Sequence, residues 1–488
     1  MFVTKTSKRF ASKSIVDCSI LSTNALINGK WKHGEGYTVE NPSTLEEVCK
    51  VTDCGVKYYH NSIKAAAIAF KDYRHSSAAE RSQVLFDIYD LIQEHSMDLA
   101  RLITLESGKA FVSSLIEVAT AANCFQLFAK AASRPSASSA LETSPYPRLT
   151  LEINQPLGVF FGIISHWSFS AAASKKLAAV IATANTCVLQ LAQETPLAAL
   201  ALGYLCTQAG IPDGVCNVLP TTHGQSTGKL LCTDKRIRKV ICTSPYNMHQ
   251  FVLNNRAGLS DVEKVSFTSR GEIPFIISND ADISKAGRDI INCRFRLSNE
   301  YGSRRSRIFV HESLYNELAS KLVSMVESDS RLGDGFGHSV TYGPLCSESE
   351  IHRISQLVED AKDKAATVLC GGARASSLGP RFFRPTVLGN VNEEMKIVQQ
   401  DFYEPIASLT KFKSLQEIVE RVNKTHIGCA AYLYSSDSKK AFELAADLNF
   451  EVLHINTAFN QDSSAKCSIS CSSKLKLYTK TEIVIWEP

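Results

Sequence analysis

Gly158-Val159-Phe160-Phe161-Gly162-Ile163-Ile164 is an unbroken apolar run. A strand wet on one face alternates polar and apolar residues, so a run without alternation predicts a strand buried on both faces. The cycle then repeats. An Ala-rich helix is predicted over Ala171 to Ala184, a second buried strand over Cys187 to Leu191, and a helix over Pro196 to Ala209 with proline at its start and Gly210 at its end. Val240-Ile241-Cys242 makes a third strand. Strands alternating with helices argue for a parallel, doubly wound sheet, the usual frame for a dinucleotide. After about Thr268 a second α/β unit begins with Pro274-Phe275-Ile276-Ile277 and continues to about Asn456.

Upstream, Ile27-Asn28-Gly29-Lys30-Trp31 predicts a hairpin with a Gly turn, and Val39-Glu40-Asn41-Pro42 a strand ended by Asn-Pro. Ile63, Ala66, Ala67, Phe70 and Tyr73 fall on one helix face. Ser77-Ala78-Ala79-Glu80 is a capping-box pattern ahead of Val84, Leu85, Ile88, Leu91 and Ile92. In Glu106-Ser107-Gly108-Lys109 the glycine is expected to end a helix as an ordinary C-cap. Two segments alternate as strands with one wet face, Pro145 to Asn154 and Thr481 to Trp486. Either one alone would be an aggregation hazard, so each needs a cover.

With 488 residues and 44% hydrophobic side chains, the chain exceeds a single ordinary core and calls for at least two domains. The 53 basic and 49 acidic residues leave a net charge of +4, too weak a field to imply nucleic acid or a membrane surface. The apolar runs at Leu157 to Ile164 and Leu177 to Ile181 are too short to cross a bilayer. Fifteen cysteines are scattered from Cys18 to Cys471 without the density of a disulfide scaffold, which favours a reducing compartment. Cys467 and Cys471 have no second ligand pair at metal spacing, so no metal is expected. Met1 to Cys18 carries Lys5, Lys8, Arg9 and Lys13 with no acid before Asp17, a composition shared by mitochondrial presequences and basic unstructured termini. The expected compartment is the cytoplasm, with the mitochondrion as the alternative.

Gly210-Ile211-Pro212-Asp213-Gly214-Val215-Cys216-Asn217-Val218 matches residue for residue the Gly-Ile-Pro-x-Gly-Val-x-Asn-Val segment of the aldehyde dehydrogenase superfamily. Further landmarks similar to that family are Gly343-Pro344-Leu345, Gly371-Gly372, Pro385-Thr386 and Ala431-Tyr432. The resemblance runs from about Ile27 to Trp486. Asp53-Cys54-Gly55-Val56, the stretch around Glu106 and the Gly210 segment look most like the succinate-semialdehyde dehydrogenase branch. It implies an α/β chain in four parts: a basic extension over 1–19, a Rossmann-type nucleotide-binding domain over 20–142 and 156–267, a β-arm over 143–155 and 474–488, and a catalytic-type domain over 268–473. In the family the arm joins subunits, so the resemblance implies a homo-oligomer, dimer or tetramer.

The same resemblance assigns the site. Such an enzyme needs a thiolate, an oxyanion donor, a carboxylate base and a dinucleotide, NAD or NADP. The family's Phe-x-x-x-Gly-Gln-x-Cys reads Phe295-Arg296-Leu297-Ser298-Asn299-Glu300-Tyr301-Gly302, so Gly302 stands at the nucleophile position. Ser168, in His166-Trp167-Ser168-Phe169, stands at that of the oxyanion-binding asparagine, and Thr268 at that of the basic glutamate. Cofactor contacts fall at Trp167, at Gln190 where the family has a ribose-binding lysine, at Ser244 and Pro245 in the pyrophosphate turn, and at Asp401 in the nicotinamide-ribose segment. Pro245 has no N–H to offer a phosphate. Cys293 is the nearest thiol to position 302, nine residues upstream, and is expected to be a small buried hydrophobe. Two functions follow as expectations. One is an inactive homologue with a structural or regulatory role, with docking to an active paralogue as its refinement. The other is a working NAD(P)-dependent oxidoreductase with a rearranged site, oxidising an aldehyde such as succinate semialdehyde.

Overall fold

A computed structural model of the chain describes residues 19–133, 149–164, 173–243, 265–267, 273–296, 307–400, 405–424, 428–457 and 475–486. Strands β1 (Ala25–Ile27) and β2 (Lys30–Lys32) form the expected hairpin. Its two turn residues, Asn28 and Gly29, have φ of 52° and 69°, the twist that closes a two-residue hairpin and that Asn-Gly supplies at low cost. β3 (Gly36–Glu40) and β4 (Glu47–Thr52) make a separate antiparallel ribbon. Four helices follow: α1 (Val56–Tyr73), α2 (Ala78–Glu94), α3 (Ser96–Ser107) and α4 (Phe111–Ala132). The capping box at the start of α2 is present, with the Ser77 hydroxyl accepting from Glu80 N and the Glu80 carboxylate accepting from Ser77 N. Gly108 ends α3 with φ 75°. A Cβ there would also strike Pro344 and Pro42, so the cap doubles as a point where separate chain segments meet.

α4 is 22 residues long and apolar enough to cross a bilayer by length and composition, which the run-by-run reading did not detect. Its packing is that of a core helix. Phe125, Phe128, Ala121 and Ala122 are buried against α2 and α3, and its one carboxylate, Glu117, is buried in an ion pair with Lys109.

β5 (Leu149–Pro156) is followed by the α/β unit: β6 (Val159–Ile164), α5 (Lys175–Ala182), β7 (Thr186–Leu191), α6 (Leu197–Gln208), β8 (Cys216–Pro220), α7 (Gly224–Thr233), β9 (Ile237–Thr243) and β10 (Val265–Phe267). β6 and β7 are buried along their whole length, as the absence of alternation requires. One expectation is corrected: Val240 to Cys242 belongs to the fourth strand of the unit, because β8 is the third. The buried polar Asn217 broke the apolar pattern of β8. Its amide is fully employed, donating to Cys187 O and Gly214 O and accepting from Asn28 N at 2.9–3.0 Å, so it ties the hairpin to the sheet. The predicted helix from Ala171 is π-helical at Ala173 and Ser174 and α-helical over Lys175–Ala182, and residues 171 and 172 lie outside the described part. The sheet order is β10-β9-β6-β7-β8-β1-β2, parallel from β10 through β8 and antiparallel in the hairpin.

The second sheet is built from β11 (Phe275–Ile277), β12 (Arg307–His311), β13 (Thr367–Cys370), β14 (Thr386–Gly389), β15 (Ile406–Phe412), β16 (Gly428–Tyr434) and β17 (Phe450–Ile455), in the order β13-β14-β15-β12-β11-β16-β17. Helices α8 (Ile283–Ile291), α9 (Tyr315–Asp329), α10 (Glu348–Asp363), α11 (Lys396–Gln399), α12 (Leu415–Asn423) and α13 (Ser438–Asp447) accompany it. β18 (Thr479–Trp486) pairs with β5 antiparallel along eight register positions, from Thr479 opposite Pro156 to Trp486 opposite Leu149. The two alternating segments of the sequence thus cover one edge of each other.

The two sheets meet where Gly343 and Gly335 approach the backbone at Gly108 and Lys109 so closely that a Cβ on either would overlap a carbonyl oxygen. Phe111 N donates to Gly335 O, and Arg381 reaches Glu40 across the same junction at 2.8 Å.

Candidate functional site

In chain order, the parallel strands of the first sheet run third, second, first, fourth, fifth across its width. The order reverses between β6 and β9, and a crevice opens at such a switch point beyond the carboxyl ends of the strands. β6 ends at Ile164, β9 at Thr243 and β10 at Phe267. The segments carrying Trp167 and Ser168, Ser244 and Pro245, and Thr268 therefore leave one edge of the sheet from three adjacent strands. Those five residues themselves lie outside the described part, as do Gly302 and Asp401.

What brackets position 302 is described. α8 passes into a π turn at Asn292–Arg296, and β12 resumes at Arg307. Arg294 is fully buried, and its Nε and Nη2 both donate to Ile406 O, at 3.0 and 2.8 Å. A guanidinium held this way by a strand backbone pins the residues just before 297 to those just after 404. Cys293 is 6% exposed and packs in the core of the second unit with Phe275, Ile290 and Tyr434, as a small hydrophobe does.

Gln190, the described member of the expected cofactor set, sits at the carboxyl end of β7 and is 4% exposed. Its Oε1 accepts a hydrogen bond from Thr227 Oγ1 at 3.0 Å, joining β7 to the first turn of α7. The approach to the same helix is tied down from another side. The Asp53 carboxylate accepts from Thr222 N at 2.9 Å and from Thr222 Oγ1 at 2.5 Å, and lies 3.6 Å from His223 Nε2. Thr221 Oγ1 accepts from His223 N and donates to Cys54 O, both at 2.9 Å.

Lys176 and Glu106 are among the buried ionisable groups that the sequence reading does not single out. Lys176, in the first turn of α5, is 3% exposed and its stem runs beside Gly162 of β6, where a Cβ would meet Lys176 Cδ and collide with Leu189. Burial pushes its amine down to about 7, against the influence of nearby Cys242. The only sequence signal was a Lys175-Lys176 pair heading an otherwise apolar helix, which reads equally as a solvated helix start. Glu106 is the second. It is 3% exposed, and its two oxygens accept from Leu197 N at 2.5 Å and Ala198 N at 3.1 Å, so a carboxylate from α3 caps the start of α6. Pro196, the residue at the cap position, has no side-chain donor or acceptor of its own. Burial raises the Glu106 carboxyl to about 8, overriding the two N–H bonds and the nearby Lys109.

Comparison with known proteins matches this geometry. Residues 31–468 fit the aldehyde dehydrogenase family model. A succinate-semialdehyde dehydrogenase [NADP(+)] of Schizosaccharomyces pombe is 37% identical over 462 residues, covering 94% of this chain and 92% of its own. The human enzyme named succinate-semialdehyde dehydrogenase, mitochondrial, is 31% identical, covering 90% of this chain and 82% of its own. The crystal structure of a succinate-semialdehyde dehydrogenase from Burkholderia pseudomallei superposes with a TM-score of 0.88 at 28% identity, over 96% of this chain and 98% of that one. With the Rossmann strand order, the paired β5–β18 ribbon and a match along nearly its whole length, the chain belongs to the aldehyde dehydrogenase family and is similar within it to succinate-semialdehyde dehydrogenases.

Proposed function

We propose that the chain is a catalytically inactive aldehyde dehydrogenase homologue with a structural or regulatory role. The observation that carries this reading is the state of the thiol nearest the nucleophile position. Gly302 has no side chain, and Cys293 is buried in a hydrophobic core, where it is not placed to substitute. Nor are Cys54 and Cys346 poised as thiolates. Burial pushes the Cys54 thiol up to about 12 and raises that of Cys346 well above its usual value, whereas a nucleophilic cysteine needs its pKa lowered. The residue types at the other family positions support the same reading: Ser168 for the oxyanion donor, Thr268 for the base and Pro245 in the phosphate turn. Purified protein given succinate semialdehyde with NAD⁺ or NADP⁺ is expected to produce no reduced nicotinamide above background. Turnover at ordinary rates, about 1 s⁻¹ or more, overturns the proposal.

A structural role needs a partner surface. Among the described residues β5 and β18 pair only with each other, on one edge each, and the outer edges of such a ribbon call for a further strand or a cover. We therefore read the chain as a homo-oligomer, dimer or tetramer, or as a subunit docked to an active paralogue. Light scattering after size exclusion is expected to give at least twice the 53.5 kDa chain mass. A monomer at micromolar concentration, alone and with such a paralogue, rejects this. Cys49, Cys54, Cys187, Cys206, Cys216, Cys346 and Cys370 form no disulfide, which suits a reducing compartment, and the cytoplasm is the reading kept. A fluorescent fusion found in mitochondria would replace it with the alternative.

A further inference from the structure

We propose that the outer face of α1 is a docking surface for a second copy of this chain, which presents the outer face of its α2. Every seventh residue of a helix returns to within about 20° of the same direction, about 10.5 Å further along. α1 carries Lys57, Lys64 and Lys71 at that interval, all exposed, with the exposed His60 and Arg74 on the same side. Its one acid, Asp72, stands about 100° round the helix from Lys71. α2 carries Glu80, Asp87 and Glu94 at the same interval, with Asp90 beside them. Asp87 is half-buried and the other three are exposed. Among the described residues no ion pair uses Lys57, Lys64 or Lys71, and none uses Asp87, Asp90 or Glu94.

The surroundings keep each face to one sign. α7 packs beside α1 and adds the exposed Lys229 to that layer. The stem of the exposed Arg238 and the ring of Phe70 both approach Gly158, and Arg74 lies over that ring at 5.4 Å. Asp234 nearby is neutralised by Arg236, whose Nε and Nη2 donate to its two oxygens at 3.0 and 2.6 Å. The one cation of α2, Arg81, turns inward, where Nε donates to Ala182 O at 3.0 Å and Nη1 to Ser76 O. The two faces cannot meet within one chain. Phe160 and Phe161, adjacent on β6, point to opposite sides of the first sheet, and α1 shares a core with Phe161 while α2 shares one with Phe160. The contact is therefore head to tail, α2 of one copy on α1 of the next, and it continues from copy to copy unless its rotation closes a ring. A net charge of +4 is too small to keep copies apart. A nucleic acid or an anionic bilayer would match α1 but would be repelled by α2. Opposite charges at one interval on two helices of the same chain favour the second copy. Single exposed ion pairs contribute little, so the contact is weak and governed by salt.

Sedimentation of the full chain at an ionic strength of about 0.01 M, where the screening length is about 30 Å, is expected to give a weight-average mass that rises with concentration. At about 1 M, where that length is about 3 Å, the association is expected to weaken at least tenfold. The triple variant Lys57→Glu/Lys64→Glu/Lys71→Glu and the double variant Asp87→Lys/Glu94→Lys should each lose it. A mixture of the two should regain it, because each then offers the charge that the other lacks. An unchanged circular dichroism spectrum certifies that the variants are folded. If either does not fold, the neutral versions with Lys→Gln, Asp87→Asn and Glu94→Gln are expected to lose the association in the same way. Association indifferent to salt or to the variants overturns the proposal, and so does a mixture as dispersed as its components. A chain that stays dispersed at low salt but binds a single-stranded oligonucleotide or anionic vesicles through the three lysines also overturns it. The mass at high salt reads the oligomer of the proposed function, so a monomer there counts against that oligomer and leaves this contact standing.

Discussion

Gly302→Cys alone is expected to leave aldehyde oxidation at least 10³-fold below that of an active relative such as the fission-yeast enzyme. Loss of a covalent nucleophile costs on the order of 10⁶ in turnover in hydrolases, and this substitution returns that contribution only. An oxyanion donor is worth about 10²- to 10³-fold and a general base about 10²- to 10⁴-fold. With Ser168 and Thr268 at those positions, both deficits persist after the thiol is restored. Thr268 cannot take a proton from water at neutral pH, so an acyl-enzyme formed on the new cysteine would also lack a base for its hydrolysis. A burst of covalent labelling by an aldehyde without sustained turnover fits this expectation. Steady turnover within tenfold of the relative's, measured by nicotinamide absorbance, overturns it and with it the proposed function.

Glu106→Ala is expected to destabilise the fold by about 2–5 kcal/mol, because it strands the N–H groups of Leu197 and Ala198 at a buried helix start. Chemical denaturation followed by circular dichroism measures this, and a loss under 1 kcal/mol would show that α6 does not depend on its remote cap. The pH dependence carries a sign. Burial raises the folded-state carboxyl from 4.5 to about 8, so the folded chain binds this proton more tightly than the unfolded one. Its contribution to stability is fully present below 4.5 and is lost progressively as pH rises from there to 8, on the order of 1 kcal/mol per pH unit. Glu106→Gln cannot titrate and should flatten that part of the profile. A slope unchanged in Glu106→Gln would assign the pH dependence to another group.

The elements that read correctly from the sequence were those whose signal is local. The runs at Val159 to Ile164 and Cys187 to Leu191 lack alternation because both faces of a central parallel strand are covered, and no distant partner needs to be known to see this. The Ser77–Glu80 box and the Asn28-Gly29 turn likewise carry their geometry within a few residues. β8 was overlooked because Asn217 breaks its apolar pattern, and the three partners that make a buried asparagine acceptable there come from Asn28, Cys187 and Gly214. α4 was overlooked as a long apolar helix, since its apolar residues are interleaved with polar ones such as Ser113, Ser114, Glu117 and Asn123 that interrupt a simple run.

The site divides along the same line. Residue types are properties of the chain, so the absence of a cysteine at position 302, the glutamine at 190 and the missing N–H at Pro245 were all legible before any fold was known. Whether Cys293 is a displaced nucleophile was not, because the answer depends on burial among Phe275, Ile290 and Tyr434, residues distant in the chain or in adjoining elements. The same holds for Glu106, whose sequence setting suggests a helix end and whose actual partners lie some ninety residues away. Asp53 and Gln190 converge on α7 only once β4, β7 and β8 are assembled around it. The sequence by itself determined which side chains exist to do chemistry and which local turns and strands they occupy. The tertiary structure alone decided which of them are already spent on one another, because hydrogen-bond capacity and solvation depend on what is packed within about 3 Å and not on chain order.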